Sequence, residues 1–318
     1  MTSSRRILYL DQNAWIALAK GAWDATVHPK HHAALACIIE ASKADRIIVP
    51  LSFTNIYETV KINDPVRRVH LARVQSTISG GWVIRGRRRI LTETLVQHIA
   101  GRLSLDVPPL PDGWFLSDFW FEAAADYMPE QYGFEISERI LGLVRQNPAF
   151  ALFNYLTEAD NDVRAEAVRM YTASSTELIA KLEARRKIVA GETFAVRRRA
   201  YSARLLLDEI DFIFVIAKQL NLSWSNVHDI GPSLAKSLIA DVPIMNVERE
   251  LVVRLEDQNR ITDENDLRDV ASFTTALPLA DVFVAEKPFV NLARQARLGD
   301  KYGTVLLTSV TELTGDML

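Results

Sequence analysis

Cysteine is almost absent: Cys37 stands alone in 318 residues. No disulfide can close within the chain, and no metal site built from several thiolates is available. A lone thiol fits a reducing compartment. Excess charge is missing too, with 37 basic against 40 acidic residues and a formal net charge of −3. That balance excludes a general basic coat for nucleic acid and leaves room for a local basic patch. No apolar run approaches the about 20 residues of a membrane-crossing helix. The polar start, Met1 to Arg6, is not followed by the apolar stretch of a secretory signal. Internal repeats and low-complexity tracts are absent as well. Together these absences lead us to expect a cytoplasmic protein without a membrane partner. What is present is ordinary: 48% hydrophobic and 24% charged residues, enough to bury a large core in one large domain or two smaller ones.

The organising stretch is ILYLDQNAWIALAKG, residues 7–21. Ile7, Leu8, Tyr9 and Leu10 form an apolar run that predicts a buried strand. Trp15, Ile16 and Leu18 then recur at helical spacing. Asp11 therefore falls at the C-terminal end of a strand, with Gln12 and Asn13 opening a helix. In an open α/β sheet ligands bind at that edge, which makes Asp11 a candidate metal ligand. As a preferred N-cap residue, Asp11 has a second reading as a helix cap. Residues 31–46 predict a second helix. The adjacent pair His31 and His32 points to different helix faces and reads as surface. Ile47, Ile48 and Val49 predict a second buried strand, stopped by Pro50. Ser52 or Thr54 then caps a helix through Tyr57, Glu58, Val60 and Lys61, placing Glu58 on the same edge as Asp11.

From residue 64 to about 239 the pattern is mostly helical, with helix-period stretches at 67–78, 91–103, 136–143, 162–189 and 195–220 and one short strand at 82–84. The aromatic group Trp114, Phe115, Phe119, Trp120 and Phe121 suits either base stacking or a core where helices meet a loop. Three basic clusters, at 85–89, 185–187 and 197–199, are solvated faces or, with Arg87, Arg88, Arg197 and Arg198, a grip for phosphates. Asp208 and Asp211, spaced i, i+3, predict one wet stripe on an apolar helix.

Strand and helix alternate again near the C-terminus. Residues 264–277 predict a helix with Asp266 and Asp269 on one face, and 281–286 a strand ending at Glu286. A helix through Phe289, Leu292 and Ala293 and a last strand at 304–307 follow. A helix leading back into a parallel strand runs antiparallel to it, so Asp266 and Asp269 are expected at the edge of Asp11. Asp281 begins its strand and belongs at the opposite end. Asp11, Glu58, Asp266, Asp269 and Glu286 thus come from three separated parts of the chain to one expected edge. Gathered carboxylates repel each other unless a cation sits between them. Hard oxygen ligands without Cys or His suit Mg²⁺ or Mn²⁺, ions that activate water and stabilise the leaving oxygen of a phosphodiester.

LYLDQNAWIAL, VPLSFTNIYET and NDLRDVASFTTALPLADVFVAEK resemble the three acidic segments of the PIN-like nuclease superfamily. The last, with its TVLLTSVTEL ending, is most similar to a bacterial branch carrying a long helical insertion. The resemblance covers residues 7–58 and 243–313. It implies a three-layer α/β/α domain with a central parallel sheet, built from 1–63 together with 240–318, and a helical insertion at 64–239. It further implies a Mg²⁺- or Mn²⁺-dependent endoribonuclease acting on RNA. Asp11, Glu58 and Asp269 stand at the three most typical acidic positions, the fourth falls near Glu286, and Asp266 assists. Ala285, Glu286 and Lys287 replace the commoner threonine-then-aspartate ending, and Lys287 weakens or partly replaces a second metal site. By analogy such an enzyme is a toxin or defence effector, with a neutralising or complex partner protein and a homo-oligomeric form as further expectations. The rival readings are a PIN-like module that binds RNA or protein without cutting, a DNA nuclease, and a haloacid-type phosphatase. The phosphatase class wants an aspartate where this chain has Asn13.

Overall fold

The computed structural model describes residues 5–124, 137–158, 161–258 and 260–318. Most of the polar start, residues 1–4, and the first residue of the helix expected at 136–143 lie outside the described residues. The chain divides into two compact units, each assembled from separated segments: 1–86, 115–173 and 276–318 form the first, and 87–114 with 174–275 the second. These boundaries do not coincide with the expected cuts after 63 and 239. Residues 64–86 and 115–173 group with the sheet, and 240–275 group with the helices.

The first unit is α/β. In chain order it opens with β1 (Arg6–Leu10), α1 (Gln12–Trp23), α2 (Pro29–Lys43), β2 (Ile47–Ile48), α3 (Phe53–Val60), α4 (Pro65–Ser79) and β3 (Val83–Ile84). After β4 (Leu116–Ser117) it closes with β5 (Val282–Val284) and β6 (Val305–Leu307). Four strands form a parallel sheet in the order β2-β1-β5-β6. β3 and β4 make a separate antiparallel pair, tied to Leu51 just past β2 by a bridge to Val83. Side chains alternate across the sheet as the strand period requires. Leu8, Leu10, Val282 and Val284 share one core with Trp15 and Leu18 of α1 and Ile38 of α2. On the alternate positions Tyr9 stacks on Phe283, ring centroids 4.6 Å apart. Leu8, Tyr9, Leu10, Val282, Phe283 and Val284 are all buried, the condition under which parallel strands read as continuous apolar runs. Asp281 sits where expected, at the start of β5, its Oδ2 accepting from the Ile7 amide at 2.7 Å.

Helix starts in this unit follow the capping residues. Asp11, Ser52 and Asp64 each accept a hydrogen bond from an amide two or three residues on, satisfying donors that a helix leaves open. α1 and α2 meet closely at Gly21, where a Cβ would lie 2.5 Å from the His32 amide nitrogen.

The second unit is helical and built around Pro243–Glu256, in which Ile244, Met245, Val247, Leu251, Val252, Val253 and Leu255 are buried together with Asn246, Arg249, Glu250 and Glu256. A helix buried on most sides is the centre of its bundle. The single helix expected at 195–220 is two, Phe194–Asp208 and Ile210–Gln219, broken at Glu209. Asp208 and Asp211 therefore do not form one stripe on one helix; Asp208 is held by Arg204 at 2.9 Å. In the first unit Phe119, Trp120 and Phe121 of the aromatic group pack on one another. Phe119 is buried, and Trp120 stacks on Tyr155 with centroids 3.7 Å apart, which favours the core reading. Among the described residues no helix is long and apolar enough to cross a membrane.

Candidate functional site

The sheet reverses its direction of growth between β1 and β5. From β1 the chain passes through α1 and α2 to β2 on one side, while β5 leads to β6 on the other. At such a switch point the loops leaving the two strands diverge and open a crevice at their C-terminal ends. The residues that leave those two strands are Asp11 and, after Ala285, Glu286. The strands are registered so that Leu10 pairs with Val284, and the Asp11 amide donates to the Val284 carbonyl at 2.9 Å.

Asp11 serves as a helix cap at the end of its strand. It caps α1, with Oδ1 accepting from the Ala14 amide at 2.7 Å, and it sits at the mouth of the switch point, only 7% exposed. Burial raises its pKa, and the carboxylates of Glu286 and Glu58 add to the rise. The amides of Ala14 and Glu286 act in the opposite direction, and the balance places Asp11 at about 7. A helix N-terminus ordinarily favours the carboxylate; here desolvation and like charge win.

The polar residues that follow Asp11 organise the surroundings. Asn13 donates from Nδ2 to Glu286 Oε1. Gln12 donates to Thr59 Oγ1 at 3.0 Å, Thr59 to Gln75 Oε1 at 2.8 Å, and Gln75 back to Gln12 Oε1 at 3.3 Å. This closed ring ties α1, α3 and α4 together one position beyond Asp11. Thr59 and Gln75 are fully buried, so the ring also satisfies groups that burial would otherwise leave unpaired. Asn55, in the reciprocal cap with Ser52, reaches across to the Leu10 carbonyl at 3.3 Å, fixing the helix that carries Glu58 to the strand that carries Asp11. Sequence reasoning missed Asn13, Thr59 and Gln75. The only signal was a Gln-Asn pair opening an otherwise apolar helix.

The five expected acids divide between the units. Asp11, Glu58 and Glu286 belong to the first, and the electrostatic influence of both glutamates on Asp11 places them in one neighbourhood. Asp266 and Asp269 belong to the second unit. Asp266 is buried and exchanges hydrogen bonds with Asp263 at the start of its helix, 2.9 and 3.0 Å. It also binds the Arg260 guanidinium at 2.7 Å. Asp269 lies one turn on, half-buried, and contributes to holding Arg260 protonated. Among the described residues no three His, Cys, Asp or Glu side chains stand gathered as a ready metal cage. The donor chemistry of Asp11, Glu58 and Glu286 nevertheless suits a hard divalent cation: all oxygen, mutually repelling, with one carboxylate buried.

The arginines expected to grip phosphate are engaged inside the second unit. Arg87 pairs with Glu209 at 2.8 Å and Glu248 at 2.9 Å. Desolvation opposes its charge, and the two glutamates overcome that opposition and raise its pKa. Arg88 reaches Glu209 at 3.3 Å and lies 3.4 Å over the Phe212 ring. Arg197 pairs with Asp257 and Arg198 with Glu250, each at 2.6 Å. A phosphate at these residues would have to displace a carboxylate. Arg87, Arg88, Arg197 and Arg198 thus supply counter-charges to acids of the bundle, while Arg85 pairs with Glu122 in the first unit.

No family model matches this chain, and comparison with curated proteins and with solved structures gives no match either. The functional reading rests on the residues and their geometry.

Proposed function

We propose that this protein is a metal-dependent endoribonuclease of PIN-like type, with its centre at Asp11, Glu58 and Glu286. The observation that carries the reading is the buried Asp11 carboxylate at the switch point of a parallel sheet, with two further carboxylates, from α3 and the end of β5, close enough to raise its pKa. Such a carboxylate is poorly solvated and repelled by its neighbours, and a divalent cation relieves both conditions. Bound there, Mg²⁺ or Mn²⁺ supplies an acidified water and charge neutralisation at the leaving phosphodiester oxygen.

The chain's own residues do the positioning. Asp11 Oδ1 accepts from the Ala14 amide, and the Glu286 amide also bonds the carboxylate, which fixes it at the mouth of the switch point. Asn13 holds Glu286 by one oxygen in the same way. Glu58, on the helix that Asn55 pins to β1, completes the set or orients the attacking water. The proposal rests on the acids of the first unit; Asp266, in the second unit, is committed to Arg260. RNA as substrate, a neutralising partner protein, homo-oligomer formation and a role as toxin or defence effector belong to the same proposal, by resemblance alone.

A second reading, a PIN-like module that binds RNA or protein without cutting, draws support from Glu286, whose carboxylate is already engaged by Asn13. One assay separates the two. Purified protein is incubated with mixed cellular RNA and Mn²⁺, Mg²⁺ or EDTA, beside Asp11→Asn. The nuclease reading predicts cutting that needs the metal and falls by at least about 100-fold in Asp11→Asn. Retention of RNA without cutting favours the binding module. Equal cutting by both proteins rejects the site.

A further inference from the structure

The first unit carries a second concavity, at the far end of α1 from Asp11. It has a volume of about 250 Å³ and is not lined by Asp11, Glu58 or Glu286. The α1 residues that line it, Ile16 to Trp23, lie roughly 8 to 18 Å along the helix axis from Asp11, at about 1.5 Å per residue. Its floor is apolar, formed by Ile16, Ile62 and Leu71; its rim carries Lys20, Arg67, Trp23 and His70.

Three features of that rim point to a ligand. The Trp23 ring is 46% exposed, unusual for the largest side chain at a helix end. It is held flat by a stacked His70, with centroids 3.8 Å apart and an interplanar angle of 22°. The cations are unanswered: among the described residues no carboxylate pairs with Lys20, Arg67 or the adjacent Arg73, whose guanidinium lies 5.7 Å from the Trp23 ring. This contrasts with the second unit, where Arg87, Arg88, Arg197 and Arg198 all have acidic partners. The one acid of the lining, Asp24, is spent on its own turn, accepting from the Thr26 hydroxyl at 2.7 Å and the Val27 amide at 3.0 Å.

We infer that this pocket binds a nucleoside phosphate, its base against Trp23 and the apolar floor and its phosphate between Lys20 and Arg67. A flat exposed aromatic stacks any nucleobase, and unpaired cations beside it supply the phosphate partner. The volume lies just under the usual range for ligand sites, about 300–1,000 Å³, and suits one nucleotide unit. The unit arrives either as a free mononucleotide or as one residue of an RNA strand. The site is separate from the proposed catalytic centre, and its fate does not depend on that reading.

Isothermal titration of the full chain tests it with AMP, UMP, adenosine, inorganic phosphate and a short 5′-phosphorylated oligoribonucleotide, in EDTA so that no cutting occurs. We expect AMP and UMP to bind, with adenosine and phosphate each at least about tenfold weaker. Lys20→Ala combined with Arg67→Ala weakens binding by at least about tenfold. Trp23→Ala does likewise, and Trp23→Phe restores part of the loss. All three positions are exposed, and thermal melts confirm that the variants fold. Asp11→Asn binds as the wild type does. An oligoribonucleotide that displaces AMP and binds more tightly identifies an RNA strand as the source; equal or weaker binding identifies the free nucleotide. The inference is overturned if neither probe binds, if adenosine or phosphate binds as tightly as AMP, or if folded variants bind unchanged.

Discussion

At the scale of one residue, Asp11 carries two opposed demands. As an N-cap it stabilises α1; as a buried acid beside Glu286 and Glu58 it destabilises the unit whenever it ionises. The sign follows from proton binding. Below about pH 4 both folded and unfolded chains hold the Asp11 proton. Between there and about 7 the unfolded chain has released it while the folded chain keeps it, so stability falls as pH rises through that window and levels off above it. The fall contributed by Asp11 is on the order of 4 kcal/mol at most. Asp11→Asn keeps an oxygen to accept from Ala14 and caps well, so it is expected to unfold at higher urea than wild type at pH 8 and at similar urea at pH 4. Urea midpoints across that range check this. A variant weaker than wild type at pH 8 would mean that the ionised carboxylate stabilises the metal-free fold.

At the scale of elements, charge placed inside a helix bundle decides the second unit. Glu250 is buried on Pro243–Glu256 and receives Arg198, Arg249 and Arg254 at 2.6 to 2.8 Å. Burial alone would keep it protonated; these three arginines hold its pKa below the ordinary glutamate value. Glu250→Ala leaves cations without their partner and is expected to cost about 3–5 kcal/mol. Asp257→Ala, which breaks the pair of a half-exposed aspartate with Arg197, costs under about 1 kcal/mol. Chemical denaturation of the two variants compares them; equal losses would contradict the buried-network account. The same network explains what the sequence concealed. Short apolar runs announced β1, β2 and β5, whose apolar residues are buried on both faces, and β6, in which Leu306 and Leu307 are buried. The helix at Pro243–Glu256 was missed because Glu248, Arg249, Glu250, Arg254 and Glu256 give it the look of a surface segment, although most of it is buried. The break at Glu209 has no Gly or Pro to mark it. Of the acidic site, Asp11 and its edge were legible from one strand-to-helix transition. The commitment of Asp266 to Arg260 and the hold of Asn13 on Glu286 depend on side-chain partners distant in sequence, which spacing does not encode.

At the scale of the whole molecule, the sheet unites the two ends of the chain. β5 and β6 come from residues beyond 276, yet β5 is the direct neighbour of β1. Removing residues 276–318 deletes two of the four parallel strands, uncovers Tyr9 and strips Glu286 from Asp11. The first unit is expected to lose cooperative unfolding, seen as loss of protease resistance across 1–86. Undiminished resistance would show that β1 and β2 with their helices fold without their C-terminal partners.

The central claim is that Asp11, Glu58 and Glu286 hold a divalent cation, and calorimetric titration of Mn²⁺ tests it most directly. The account predicts saturable binding that strengthens from pH 6 to pH 8, as Asp11 gives up its proton near 7, and that weakens by at least about tenfold in Asp11→Asn. Failure of Mn²⁺ to bind at pH 8, or equal binding by the wild type and Asp11→Asn, would contradict it.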